Sequence, residues 1–113
     1  MVVCGGLGGV MEAACRGAKQ AGATTVGILP GSDRAAANRY VDVALPTGLG
    51  EARNALVVRA ADVLVAVGGG HGTLSEIALA LKAGKRVIGL DTWAIEGVEA
   101  ADGPEAAVAA ALT

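Results

Sequence analysis

From Val63 to Glu76 a β-branched apolar run, Val63-Leu64-Val65-Ala66-Val67, passes through Gly68-Gly69-Gly70-His71-Gly72 directly into a helix start at Thr73-Leu74-Ser75-Glu76. A strand that empties into glycines and then a helix builds an anion site. Glycines let backbone N–H groups approach a ligand without Cβ interference, and the unpaired amides and dipole of the new helix favour a negative group there. The sequence therefore predicts that Gly69, Gly70, His71, Gly72 and Thr73 line a phosphate site, with the amides of Gly70, Gly72 and Thr73 as donors.

A second junction of the same kind, Cys4-Gly5-Gly6-Leu7-Gly8-Gly9, precedes the helical pattern that opens at Val10. Further strand-like runs lie at Val2 to Cys4, Thr24 to Leu29 and Arg86 to Leu90, and Val41 to Leu45 reads as an extra short strand. Helical patterns occupy Val10 to Ala21, Glu51 to Ala60, Thr73 to Ala83 and a segment opening at Pro104. Alternating β and α units with continuously apolar strands predict an α/β domain, residues 1–113, with a parallel sheet covered by helices on both faces. Both glycine junctions then fall at the carboxyl edge, where ligands bind.

Neither junction has the G-x-G-x-x-G spacing, and no G-x-x-x-x-G-K-[ST] occurs, so standard dinucleotide and nucleoside-triphosphate sites are not indicated. A net charge of −2 over 113 residues gives no electrostatic grip on a nucleic-acid backbone. No run is long enough to span a membrane and no basic leader precedes an apolar stretch, so a cytoplasmic protein is expected. Cys4 and Cys15 form no metal-ligand pattern and read as small buried hydrophobes in a reducing compartment. With no Phe, one Tyr and one Trp, the core must be built from small side chains, which makes a homo-oligomeric interface a reasonable supplement.

Several residues carry two readings. Thr73-x-x-Glu76 matches a capping box, in which Glu76 reaches back to the Thr73 amide, while the same carboxylate faces the glycine loop. Arg53 is either a solvated helix charge or a cation for the ligand. His71 sits at the loop tip as a phosphate contact or as a hydrogen-bonded turn residue. Trp93 either covers a core edge or stacks on a base. Asp33 and Arg34 lie in the longest polar loop, Pro30 to Asn38.

Taken together, Gly69-Gly70-His71-Gly72-Thr73-Leu74-Ser75-Glu76 resembles the G-G-x-G-T-x-x-E motif of the LOG family, formerly labelled lysine decarboxylase. Gly9-Val10-Met11 is similar to its G-L-M, Gly27-Ile28-Leu29-Pro30 to its G-V-I-P, and Arg53 occupies the arginine of its R-K motif, with Asn54 in place of the lysine. The stretches from Val3 to Glu12 and from Pro46 to Asn54 most resemble the DprA/Smf-related, molybdenum-cofactor-carrier-like branch. The resemblance implies a Rossmann-like fold and a nucleotide-like small-molecule ligand contacted by Gly5, Gly6, Gly9 and Met11 as well as by the second loop. For the LOG enzymes it implies hydrolysis of the N-glycosidic bond of nucleoside 5′-monophosphates, with Arg53 and Glu76 as the catalytic pair. For the carrier-like branch it implies binding without turnover, either as a carrier with a molybdopterin-type cofactor as cargo and no resident cofactor, or as a nucleotide-sensing protein. Relatives begin with another strand, glycine loop and helix before the equivalent of Val2, so the resemblance also implies that the first strand and helix of the family are lacking here.

Overall fold

Every strand pairing in the computed structural model, which describes residues 1–113, is parallel. The strands form two three-stranded sheets, β1-β2-β3 and β4-β5-β6, within two compact units, residues 1–57 and 58–113. Parallel strands cannot be joined by hairpins and need crossover segments, which is why helices alternate with strands along the chain.

In the first unit, β1 (Val2–Cys4), α1 (Val10–Gln20), β2 (Thr25–Leu29) and β3 (Val43–Pro46) follow one another. Cys4 of β1 and Cys15 of α1 meet at 3.5 Å between sulfurs, so α1 lies on the face that Cys4 shares. Thr25 is fully buried yet satisfied: its hydroxyl donates to the Tyr40 carbonyl at 2.6 Å and accepts from the Asp42 amide at 2.8 Å. The polar loop contains a short 3-10 turn, Arg34–Ala36, capped by the Asp33 carboxylate, which accepts from the Ala35 amide. Asp33 therefore has a structural role. The helix expected from Glu51 begins later, because a 3-10 turn at Gly50–Ala52 precedes α2 (Arg53–Ala60), which carries the chain into the second unit.

In the second unit β4 (Val63–Val67), α3 (His71–Lys82), β5 (Arg86–Leu90), β6 (Val98–Ala100) and α4 (Pro104–Ala111) form a three-layer arrangement. The register aligns Leu64 with Val87 and Ala66 with Gly89, so these side chains share one face. There Leu64, Ala66 and Val87 pack with Ile77 and Ala80 of α3 and with Val58. Arg86 and Ile88 alternate to the opposite face, where the Arg86 guanidinium donates to the Ala110 carbonyl of α4 at 2.7 Å and pairs with Glu99 at 2.6 Å. Both faces of this sheet are thus covered, as a continuously apolar β5 requires. β6 was not expected from the sequence. It is three residues long and two of them are exposed, so it has no periodic apolar signal. No helix is long and apolar enough to cross a membrane.

Candidate functional site

At the carboxyl end of β1, the glycines have different structural reasons. Gly6 has φ 77°, and a Cβ there would lie 3.1 Å from the Gly27 Cα and 2.7 Å from Leu29, so tight backbone packing on β2 requires glycine. At Gly5 an added Cβ would instead meet Arg53 Nη2 at 2.6 Å and Met11 Sδ at 2.7 Å. The absence of a side chain at Gly5 is what lets the Arg53 guanidinium and the Met11 thioether close over the loop. Of the residues expected to line this site, the structure brings Gly5, Met11 and Arg53 together, with Gly6 beneath and Gly9 as the N-cap of α1.

Arg53, the first residue of α2, donates through Nη1 to the Asn54 carboxamide oxygen, while its buried Nε has no hydrogen-bond partner. A buried guanidinium N–H without an acceptor is costly, and an anion would satisfy it. The loop itself is held by Asn38, whose amide N–H donates to the Gly6 carbonyl at 2.8 Å and whose side chain donates to the Leu7 carbonyl at 2.9 Å. Sequence reasoning missed Asn38, which looked like the end of a polar loop. Beside it, burial pushes the Cys4 thiol up to about 11, against the opposing pull of the Gly6 amide hydrogen bond. Cys15 is buried and Cys4 half-buried, and the two pack together, close to the expected small hydrophobes.

In the second unit, α3 starts at His71, two residues before the predicted start, with Gly70 in extended conformation as its N-cap and no side-chain cap. The capping box is therefore not formed with Thr73 as the cap: the Leu74 amide donates to the Gly70 carbonyl at 3.0 Å, which makes Thr73 the third helical residue. The amides left outside the helical ladder are consequently those of Gly70, His71, Gly72 and Thr73, so His71 joins the expected donors Gly70, Gly72 and Thr73. Glu76 follows on the second turn. Cβ atoms built at Gly69 and Gly70 meet nothing within 4 Å, and neither residue has a positive φ. Neither conformation nor contact within the chain explains glycine there, and open space above amides is what an anion needs.

The loop is braced by the segment after β5. Thr92 donates its hydroxyl to the Gly68 carbonyl, and the Trp93 indole N–H donates to the Gly70 carbonyl at 3.2 Å. The Trp93 ring also stacks on His71, with centroids 6.2 Å apart, and packs against the core cluster. The core-edge reading of Trp93 holds, and His71 is a stacked helix-start residue. A cavity of about 360 Å³ opens beside Trp93, lined by Gly89, Asp91, Ile95, Val98 and Ala100 among others. Thr92 and Asp91 were not anticipated; their one sequence signal was position, directly after a strand at the carboxyl edge.

Comparison with known proteins agrees with this architecture. An uncharacterised protein of Archaeoglobus fulgidus is 48% identical over 109 residues, covering 96% of this chain and 72% of that protein. The solved structure of the molybdenum cofactor binding protein from Rippkaea orientalis superposes with a TM-score of 0.90 at 42% identity, covering 96% of this chain and 74% of that one. The molybdenum cofactor carrier protein of Chlamydomonas reinhardtii gives a TM-score of 0.83 at 40% identity, with coverage of 96% and 74%. The Rossmann-like α/β fold implied by the motif resemblance is the fold observed. The model of the SLOG cluster4 family matches residues 1–111, and the chain belongs to that family.

Proposed function

We propose that this protein binds and holds a molybdenum-cofactor-type pterin phosphate without consuming it. The observation that carries this reading is the 42% identity, over 96% of the chain, to a molybdenum cofactor binding protein of the same fold. The residues fit such a cargo. A terminal phosphate matches the amides of His71, Gly72 and Thr73 at a helix start with open space at Gly69 and Gly70. Arg53, whose guanidinium lies over Gly5 and whose Nε is unsatisfied, supplies a further point for anion binding in the first unit. Gly5 and Met11 line that point, Gly9 caps the helix that carries Met11, and Glu76 acts in the second unit as a residue of the ligand-binding helix.

The two thiols of the chain are packed together, that of Cys4 is pushed up by burial, and nothing in the reading asks either to react. Hydrolysis of nucleoside monophosphates is the competing activity that the motif resemblance implies. The substitution of Asn54 for the lysine of the LOG motif favours holding over hydrolysis, since the carboxamide accepts from Arg53 and brings no second cation to a phosphate.

The test uses the full chain and cofactor released from a purified molybdoenzyme. Cofactor should co-elute with the protein in gel filtration and be recovered unchanged. AMP and GMP should give no ribose 5-phosphate. Gly69→Val should reduce retention by about tenfold or more while leaving the melting temperature nearly unchanged, because the added side chain occupies only ligand space. Failure to retain cofactor, together with release of ribose 5-phosphate, would overturn the reading in favour of the hydrolase.

A further inference from the structure

The cavity after β5 differs from the glycine loops in chemistry. Its volume, about 360 Å³, lies within the ~300–1,000 Å³ range of small-molecule sites, and it is walled by Trp93, Ile95, Val98 and the backbone of Gly89. Asp91 is the one charged residue at its lining, and its carboxylate makes no hydrogen bond or ion pair within the chain. Asp91 is also the only non-glycine residue with a positive φ, 54°. That left-handed conformation costs an L-residue energy, and retaining it places a carboxylate at the mouth of an apolar slot.

A slot with an aromatic wall and one carboxylate selects a planar heterocycle that presents two adjacent N–H donors. An ionised carboxylate only accepts, and its two oxygens match a ring N–H next to an exocyclic amine in the same plane. The 2-aminopyrimidinone edge shared by pterins and guanine has that arrangement. Trp93 belongs to this cavity and also holds Gly70 and His71, so a phosphorylated bicyclic ligand could extend from the slot to the helix start within this unit.

We infer that Asp91 is the specificity residue for the bound heterocycle, reading the 2-amino and ring N–H pair of a pterin or guanine in the cavity beside Trp93. The inference rests on the cofactor reading above for the choice of pterin, and on the cavity chemistry alone for the edge that is read. A ring with a carbonyl in place of the amine sets an acceptor against the carboxylate and is rejected.

The chain has one Trp, and it lines the cavity, so quenching of its emission reports occupancy. Titrations compare pterin with lumazine and GMP with IMP, for the native protein and for Asp91→Asn and Asp91→Gly. The native protein should prefer pterin and GMP by about tenfold, as loss of one charge-assisted hydrogen bond implies. Asp91→Gly, which suits the positive φ, should fold at least as stably and lose the preference. Asp91→Asn should turn it toward lumazine, because the carboxamide offers an N–H to the new carbonyl. A native protein without preference, or an Asp91→Gly protein that keeps it, would overturn the inference. If cofactor retention fails while the Asp91-dependent preference for GMP persists, the carrier reading falls and the cavity assignment stands; the reverse pattern overturns the cavity assignment alone.

Discussion

Trp93 fastens the start of α3 from two directions: its indole N–H donates to the Gly70 carbonyl at 3.2 Å, and its ring lies over His71 with an interplanar angle of 24°. Because the same ring packs on the core cluster, the loop geometry is tied to the interior of the second unit. The amides proposed to hold phosphate are therefore preorganised and need little ordering when a ligand arrives. Trp93→Ala should lower the stability by about 3 kcal/mol through lost burial. Trp93→Phe keeps the stack but loses the hydrogen bond, and should cost roughly 1 kcal/mol in stability while weakening binding of inorganic phosphate several-fold. Thermal melts and phosphate titrations followed by calorimetry check both.

Arg53 and Gly5 should behave as one device. The Cβ of Gly5→Ala would meet only the ends of two flexible side chains, so the fold should tolerate it, at a cost within about 1 kcal/mol. The guanidinium must move, however, and anion binding in the first unit should fall as far as in Arg53→Ala. In the double variant the two losses should not add, since each removes the same placement. Additive losses in a double-mutant cycle would show that Gly5 and Arg53 act separately.

Cys4 should be slow to alkylate. With the thiol pushed up to about 11 by burial, the thiolate fraction at pH 8 is about one in a thousand, against roughly a quarter for an ordinary cysteine. Iodoacetamide labelling followed by mass spectrometry should be about 100-fold slower in the native protein than in denaturant. The linked stability follows: because the folded value lies above the unfolded one, this contribution is whole below about pH 9 and is lost as the pH rises toward 11.

Lys85 should matter more than a typical surface lysine. Its ammonium donates to the carbonyls of Val58, Arg59 and Ala61 at 2.7, 2.9 and 2.6 Å, capping the C-terminal end of α2 and the residue that follows it. Lys85→Met keeps the aliphatic stem and removes all three bonds, and should cost about 2 kcal/mol, a drop in melting temperature of roughly 10 °C for a domain of this size. By contrast, the exposed Lys19–Asp42 pair holds the Asp42 carboxyl below its ordinary range, mainly through the Lys19 hydrogen bond. Its contribution is present above the ordinary carboxylate range and is lost as the pH falls through the lowered value. Asp42→Asn should therefore flatten the acid limb of the stability profile, which melts from pH 2 to 6 would measure.

The local code was legible where side chains or glycines act on their own neighbours. β-branched runs closed by Gly, Pro or Asp marked β1, β2, β4 and β5 because strand preference and turn chemistry are both local, and alternation with helical patterns implied parallel pairing. The motif at Gly69 to Glu76 likewise pointed to a helix start. Its exact beginning was not legible: Thr73 looked like a cap by spacing, whereas Gly70 became the N-cap because Trp93 and Thr92, more than twenty residues later, hold the loop carbonyls.

Tertiary structure alone decided which glycines serve the fold and which leave room for a ligand. Gly6 and Gly69 are indistinguishable as letters. One is pressed against Gly27 with φ 77°, and the other has open space on every side of its missing Cβ. It also decided that Arg53 closes over Gly5 and Met11, that β6 pairs with β5, and that Asp91 shares one cavity with Val98 and Ala100 of β6. Those relations are contacts between residues distant in sequence, set by strand register and helix packing, so no propensity or periodicity read along the chain contains them.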